Sequence, residues 1–465
     1  MTDSPTAATA RPVVLASNRG PLSFSTGPDG GLVARRGAGG LVSGLAPLMV
    51  GTDGIWVAAA MSDGDRAAAA AGPAAAEGLH TRLLAIDPDD FRMAYDVVGN
   101  ATLWFIHHGL YELSRRPRFD HRFTQAWDAY RRVNTAFADV IAEVAPEAAA
   151  VLVQDYHLGL LGPMLAQRRP DVRAVHFSHT PFAPPDWFRV LPDAVASELL
   201  EGLAGHHACG FHTQRWADDF SACCIEVLGR RPTTFVAPLA PDPEDLAAVA
   251  TGEPCARALA SLDEQVGQRA FIVRVDRIEL SKNLVRGFHA FDDLLERHAQ
   301  WRGRVVFGAF VYPSREGLAE YLAYRQEVET VIEQVNRRWG TADWTPILAF
   351  IGDDHPLSVA ALRRFDVLLV NPVRDGLNLV AKEGALVNQR DGLVLLSPEA
   401  GAWAELEGAV RRVHPYDISA TADALADALA TPAAARATEA AELRRRARLR
   451  TPRDWLADQL AAANA

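Results

Sequence analysis

The sequence predicts an α/β protein built of two doubly wound domains. Three observations carry that prediction. Short runs rich in Val, Ile, Leu and Phe recur along the chain, helix-length segments separate them, and 465 residues exceed what one core normally holds. The runs are continuous rather than alternating, the pattern of strands covered on both faces in parallel sheets with helical crossovers.

In the first half the strand-like runs are residues 13–16, 55–58, 83–86, 102–106, 150–154, 174–178 and 208–211. In the second they are 270–275, 305–311, 347–351, 367–370, 393–396 and 410–413. A break is expected near Ala237, Pro241 and Pro243, where prolines cluster ahead of an Asp/Glu-rich helix. The stretch "TPRDWLADQL" from Thr451 reads as a final helix with a proline in its first turn. The Ala-rich stretches 67–76 and 433–441 are helix-compatible. Doubly wound sheets bind ligands at the carboxyl ends of their strands, so two facing domains place a ligand in the cleft between them.

Composition narrows the function classes. Hydrophobic residues make up 49% and charged residues 23%, as in an ordinary globular protein. A net charge of −11 argues against a nucleic-acid partner. The arginines of 444–450 interleave with Glu439 and Glu442, which makes a solvated helix face. No run approaches the roughly 18 apolar residues of a membrane span. The first twelve residues, "MTDSPTAATARP", lack an apolar signal core and read as a disordered leader. A cytoplasmic location without a membrane partner is therefore expected. Cys209, Cys223, Cys224 and Cys255 show no CxxC spacing and read as free thiols.

The polar residues at strand ends carry the chemistry. "VVLASNRGPLSF" ends a strand in Ser17, Asn18 and Arg19, and "RRGAGGLVSGL" follows with Gly37, Gly39, Gly40 and Gly44. A glycine turn entering a helix brings backbone N–H groups and a positive dipole end near a phosphate. An arginine at a strand end can fork onto phosphate oxygens. "VLVQDYHLGLL" places Asp155 directly after a strand, and "RAVHFSHTPFAPPDWFRVLP" places His179 likewise, whereas His176 lies inside its strand and reads as structural. Neither the adjacent pairs His107-His108 and His206-His207 nor His176 with His179 has a metal-ligand spacing, so no metal site is expected.

"VRVDRIELSKN" supplies Arg277 and Lys282, and "FVYPSREGL" supplies Arg315. Cations at three strand ends of an acidic chain suggest a clamp for a diphosphate. In "NPVRDGLNLVAKE" the amides of Gly376, Leu377, Asn378 and Leu379 precede a helix and suit that diphosphate. Asp375 and Glu383 cannot bind phosphate and are left to hold sugar hydroxyls. Glu383 is expected in the second turn of that helix, facing a ribose.

With these motifs in this order, the sequence resembles the retaining GT-B glucosyltransferases of glycosyltransferase family 20, which make trehalose 6-phosphate. The resemblance runs from "SNRGP" and "RRGAGGLVSGL" through "FSHTPFAPPDWFRVLP", "GFHT", "RIELSKN" and "PSR" to "NPVRDGLNLVAKE" and "HPYD". It implies two Rossmann-like domains facing across a cleft: an acceptor domain over 1–240, a nucleotide-sugar domain over 241–445, and a C-terminal helix over 446–465 packing back on the first. It implies transfer of glucose, with retention and without a metal or other cofactor, from GDP- or UDP-glucose to glucose 6-phosphate. Homo-oligomer formation is left open.

Position by position, the resemblance puts Arg19, Tyr95, Trp104, Asp155 and Arg315 in the acceptor pocket. Gly39 and Gly40 fall beside the donor diphosphate, Arg277 and Lys282 on the leaving diphosphate, and His179 beside the transferred glucose. Asp375 would hold that glucose, residues 376–379 the diphosphate and Glu383 the ribose. The implied mechanism is front-face, the leaving phosphate oxygen drawing the acceptor proton.

Two departures bear on the substrates. "GIWVAAAMSD" keeps Trp56 but has Ala59 where the family carries a second tryptophan, which keeps open a pseudo-glycosyltransferase that joins a nucleotide-cyclitol to an aminocyclitol phosphate. "LAFIGDDHP" places Asp353 near the donor base, where a carboxylate can accept from guanine N1–H and N2–H₂. A third reading, an inactive sugar-phosphate sensor, conflicts with the intact set of Asp155, His179, Arg277, Lys282, Asp375 and Glu383.

Overall fold

The computed structural model describes residues 11–27, 31–37 and 40–465. The leader residues 1–10 and Gly39 lie outside the described residues. The chain divides into two compact units: Met1–Leu103, Arg115–Ala237 and Leu456–Ala465 form unit 1, and Trp104–Ser114 and Pro238–Trp455 form unit 2.

The strands of unit 1 are β1 (Val13–Ser17), β2 (Leu22–Thr26), β3 (Leu32–Arg36), β4 (Ile55–Ala59), β5 (Ala74–Ala76), β6 (Leu79–Leu84), β7 (Ala150–Gln154), β8 (Arg173–Ser178), β9 (Ala208–Phe211) and β10 (Thr234–Val236). Eight form one sheet in the order β10-β9-β8-β7-β1-β4-β6-β5, and β2 pairs with β3 in a separate antiparallel hairpin. Neighbours in the large sheet are parallel except β5 with β6. All five residues of β7 are buried, which is why its sequence is a continuous apolar run. Strand order reverses between β1 and β7, so the loops after them diverge and leave a crevice at the carboxyl ends. Arg19 and Asp155 follow those two strands, and His179 follows β8 next to them.

Unit 2 holds β11 (Ala270–Ile278), β12 (Val305–Pro313), β13 (Ile347–Ile351), β14 (Val367–Val370), β15 (Leu393–Leu396) and β16 (Arg411–Arg412) in the order β13-β12-β11-β14-β15-β16, all parallel. Its switch point lies between β11 and β14. Lys282 follows the first of these strands and Asp375 the second. The helix Leu284–Arg297 covers the sheet with Leu284, Phe288, Phe291, Leu294 and Leu295, all fully buried at i, i+4, i+7 spacing.

Several expectations are corrected. Residues 102–106 are helical, not a strand: they join a π-type helix, Met93–Leu103, to the helix Trp104–His108. Thr102 Oγ1 donates to the Val97 carbonyl at 2.8 Å, filling an acceptor of the wide turn. A five-residue apolar run has the same composition in a buried helix as in a buried strand, so period alone could not separate them. The strand expected at 83–86 begins and ends earlier, as β6. Of 410–413 only Arg411–Arg412 pairs, and of the Ala-rich 67–76 the last three residues form β5. The arginines near 445 are spent in ion pairs, Arg445 and Arg446 with Glu442 at 2.7 Å each. The four cysteines are free and buried, and no helix among the described residues is long and apolar enough to cross a membrane.

Asp65 ties the hairpin to the helix Asp63–Ala71. It is 4% exposed, and its carboxylate accepts from the amides of Phe24 (2.7 Å), Met61 (3.1 Å) and Ser62 (3.0 Å), while Ser62 Oγ accepts from the Asp65 amide in return. Asp65→Ala leaves these donors without a partner. It is expected to cost about 2–4 kcal/mol, measured as a lowered unfolding midpoint in urea.

Candidate active site

In unit 1 the carboxyl ends of β1, β7 and β8 bring sequence-predicted residues together in two groups. Arg19 Nη2 donates to the Tyr95 hydroxyl at 3.2 Å, and the Tyr95 ring stacks between Phe91 (5.5 Å) and His157 (5.4 Å). A guanidinium and a phenol held in one place suit a phosphate.

Asp155 leaves β7 with φ +70°, a turn that sets its carboxylate beside the end of β8. Its Oδ1 accepts from the His179 amide at 3.2 Å, and its carbonyl accepts from His176 Nε2 at 3.1 Å. His176 is therefore structural, as expected from its place inside the strand. The His179 ring faces Gln154 Oε1 at 3.0 Å, and burial lowers its pKa to about 4, so the imidazole is neutral. Gly40 opens the helix Gly40–Met49. Trp56 is turned inward, its Nε1 donating to Ser17 Oγ at 2.7 Å, and Ala59 is 2% exposed at the end of β4.

In unit 2 one ion pair spans the switch point. Lys282 Nζ lies 2.6 Å from Asp375 Oδ2 and 3.8 Å from Asp276 Oδ1, and fully buried Arg274 donates to Asp276 at 3.0 Å and to the Lys282 carbonyl at 2.9 Å. Burial pushes the Asp375 pKa up, but Lys282 and the Asn378 amide at 3.1 Å outweigh it, and the carboxyl stays below its ordinary range. Lys282 is likewise opposed by burial and held above its ordinary value by Asp375 and Asp276. Asn283, in the left-handed region at φ +62°, donates to the carbonyls of Asn371 (2.9 Å) and Pro415 (2.6 Å), locking the Lys282 turn to the loop after β14.

That loop is held from below. The Asp375 amide donates to the Glu399 carbonyl at 3.0 Å, Gly401 N to the Asp375 carbonyl at 3.1 Å, and Ala402 N to the Leu377 carbonyl at 2.7 Å. Asn378 has φ +70°, so the helix starts only at Val380 and Glu383 falls in its first turn, not the second. Burial raises the Glu383 carboxyl to about 7. Lys382, its neighbour, serves the fold: it is 1% exposed, donates to the Leu239 carbonyl at 3.0 Å and pairs with Glu405.

Sequence reasoning passed over Glu279. This fully buried carboxylate accepts from Trp104 Nε1 at 3.2 Å and from the Tyr321 hydroxyl, and it pairs with Arg315. Arg315 Cζ also lies 3.7 Å from the Trp104 ring centroid, and Arg277 Cζ lies 5.6 Å from it. One carboxylate thus fixes two predicted acceptor residues. The available signal was an acidic residue at the mouth of an apolar strand, three positions before Lys282. Asp353 is exposed after β13, and the half-buried Tyr312 at the end of β12 lies within electrostatic reach of Asp353, Arg277 and Lys282. Among the described residues no group of three or more His, Cys, Asp or Glu could hold a metal ion.

The model of glycosyltransferase family 20 matches residues 12–465. The chain is 29% identical over 479 residues to a bifunctional trehalose-6-phosphate synthase/phosphatase of Thermoproteus tenax, covering 96% of this chain but spanning only 62% of that relative. It is 31% identical over 436 residues to the trehalose-6-phosphate synthase of Mycolicibacterium smegmatis, covering 88% of this chain and 84% of that one. The solved structure of a UDP-forming alpha,alpha-trehalose-phosphate synthase from Burkholderia xenovorans, in complex with glucose-6-phosphate, matches with TM-score 0.84 and 26% identity. It covers 98% of this chain and 100% of that one.

Gly401 explains why the 375–379 loop sits where it does. A Cβ there would stand 2.0 Å from the Gly376 carbonyl oxygen. Gly401→Ala is therefore expected to displace the loop, and binding of a nucleoside diphosphate on it would be weakened by roughly tenfold or more. Calorimetric titration with UDP and GDP checks it.

Proposed function

The chain belongs to glycosyltransferase family 20, and from that premise we propose that it makes trehalose 6-phosphate. In this reading it moves glucose, with retention and without a metal, from a nucleoside-diphosphate glucose to glucose 6-phosphate. The observation that carries the reading is the Lys282–Asp375 pair at the switch point of unit 2, above a loop that opens a helix. The pair supplies both chemistries a nucleotide sugar needs, a carboxylate for hydroxyls and a cation for phosphate. The similarity to a synthase solved with glucose-6-phosphate supports the acceptor.

Asp375 is ionised and serves only as an acceptor, so it holds hydroxyls of the donor glucose and does not donate a proton. The bond from glucose C1 to the diphosphate oxygen breaks, and Arg277 and Lys282 stabilise the charge that develops there. The acceptor hydroxyl attacks C1 from the same face and passes its proton to the departing phosphate oxygen. His179 is neutral and contributes a hydrogen bond rather than a charge. In unit 1, Arg19 and Tyr95 are the groups we assign to the phosphate of glucose 6-phosphate.

The donor base is assigned along the sheet edge. β13 lies two strands from β11, about 10 Å at the usual strand spacing, which is a reach a nucleoside covers from a diphosphate on Lys282. Asp353, exposed there, accepts from guanine more fully than from uracil, which favours GDP-glucose as donor, whereas the Burkholderia xenovorans synthase is UDP-forming.

The deciding assay is nucleotide release that depends on glucose 6-phosphate. Asp375→Ala is expected to lower it by about a hundredfold or more, and near-normal turnover would refute the assignment. Release with an aminocyclitol phosphate, but not with glucose 6-phosphate, would move the reading to pseudo-glycosyl transfer. Turnover of GDP- and UDP-glucose, compared in the parent chain and in Asp353→Ala, is expected to show selective loss of the GDP reaction. An unchanged donor ratio removes the argument from Asp353.

A further inference from the structure

Two buried amides connect the C-terminal helix to His179. Gln154, the last residue of β7, is fully buried, and so is Gln459 on the helix Pro452–Asn464. Gln154 Nε2 donates to Gln459 Oε1 at 2.9 Å, and Gln154 Oε1 faces His179 Nε2 at 3.0 Å. All three residues belong to unit 1, although Gln459 is 305 positions away from Gln154 in the chain.

The donors and acceptors of this row are linked, each amide's orientation dictating the next group's role. An amide offers oxygen on one side and NH₂ on the other. Because Gln459 presents its oxygen, Gln154 turns its NH₂ toward the helix and its oxygen toward the imidazole. An oxygen at 3.0 Å requires a proton on Nε2, so the neutral ring carries its proton there and leaves Nδ1 unprotonated. The ring plane is set as well, by Phe177 at 5.2 Å and His212 at 5.3 Å, both tilted against it.

Gln459 is a poor choice for packing alone. Its Nε2 is buried without a hydrogen-bond partner, a cost that a methionine of similar volume would avoid. Trp455 and Ala463 on the same helix are fully buried. The polar residue among them therefore serves the amide it touches. Without Gln459 the Gln154 side chain is free to turn over, present NH₂ to Nε2 and accept the other tautomer.

We propose that Gln459 is a positioning residue that, through Gln154, fixes the tautomer and orientation of His179. The consequence for transfer rests on the assignment of His179 to the donor glucose made above; the consequence for the tautomer does not. A neutral histidine beside a sugar presents either a donor or an acceptor to a hydroxyl, and the wrong tautomer reverses which.

Gln459→Met and Gln459→Glu in the full chain test it, the first removing the acceptor at similar volume and the second keeping an oxygen for Gln154. Nitrogen-15 spectra of the imidazole-labelled protein, with His179 identified by its loss in His179→Gln, read the tautomer without any substrate. The expected result is a parent ring protonated at Nε2, a shift toward the Nδ1–H form in Gln459→Met, and the parent pattern in Gln459→Glu. In the acceptor-dependent assay, kcat is expected to fall roughly tenfold in Gln459→Met, the effect of one lost hydrogen bond, with nucleoside diphosphate Kd unchanged. Gln154→Met breaks the row from its other end and must shift the tautomer in the same way should Gln459→Met not fold. An unshifted His179 signal in the folded variants overturns the proposal. A shifted signal with unchanged kcat supports the positioning and refutes the role given to His179 in transfer.

Discussion

Unit 2 is organised around a lysine that two carboxylates share. Lys282 lies between Asp375 and Asp276, and Arg274 closes the far end, so charges alternate in sign along a row with little access to water. Such a row adds little net stability, because desolvating each ion offsets most of the attraction. What it provides is position. The row joins the end of β11 to the loop after β14, the two strands between which the sheet order reverses. Asn283 repeats the connection in neutral form. Loss of either member would leave an uncompensated charge, so the turn and the loop are held at one separation before any ligand arrives.

The same economy governs unit 1 with weaker groups. The end of β7 supplies Gln154 and Asp155, which both touch His179, one at its ring and one at its amide. The positive φ of Asp155 makes this possible, since an ordinary strand conformation would send the carboxylate to the other face. Strain at one residue is thereby exchanged for two fixed contacts on the next strand.

Legibility in the sequence followed chemical contrast. Parallel strands buried on both faces announce themselves as apolar runs, and polar residues at their ends are conspicuous: Asp155 and His179 come directly after a strand, Lys282 and Asp375 in the loop that follows one. Residues 102–106 failed the same test because burial erases the difference between a helix and a strand. Glu279 was missed although it directly follows β11, because its partners Trp104 and Tyr321 lie 175 and 42 positions away and give it its meaning. Gln154 and Gln459 were illegible for the same reason: uncharged amides acquire meaning only from what they face. The start of the helix after Asn378 depended on a backbone angle that side-chain identity suggests but does not dictate.

Asp375 and Glu383 show how one helix entrance gives two acids opposite tendencies. Burial acts on both. At Asp375 a lysine at 2.6 Å and an amide at 3.1 Å reverse it, whereas Glu383 feels Lys282 only at a distance and rises to about 7 from an ordinary 4.5. The linkage signs differ accordingly. The depressed group stabilises the fold above its unfolded pKa and ceases to do so as pH falls through the folded value. The raised group stabilises the protonated form, and that contribution is complete below about 4.5 and lost as pH rises through about 7. A hydroxyl donor placed against Glu383 would favour the ionised form and draw its pKa down, so binding there releases a proton near neutrality. A sugar against Asp375 would meet a carboxylate that is already ionised, and would compete with Lys282 and Asn378 for it. The two ends of the loop are thus prepared differently: one carboxylate is charged without any ligand, and the other would be charged by one.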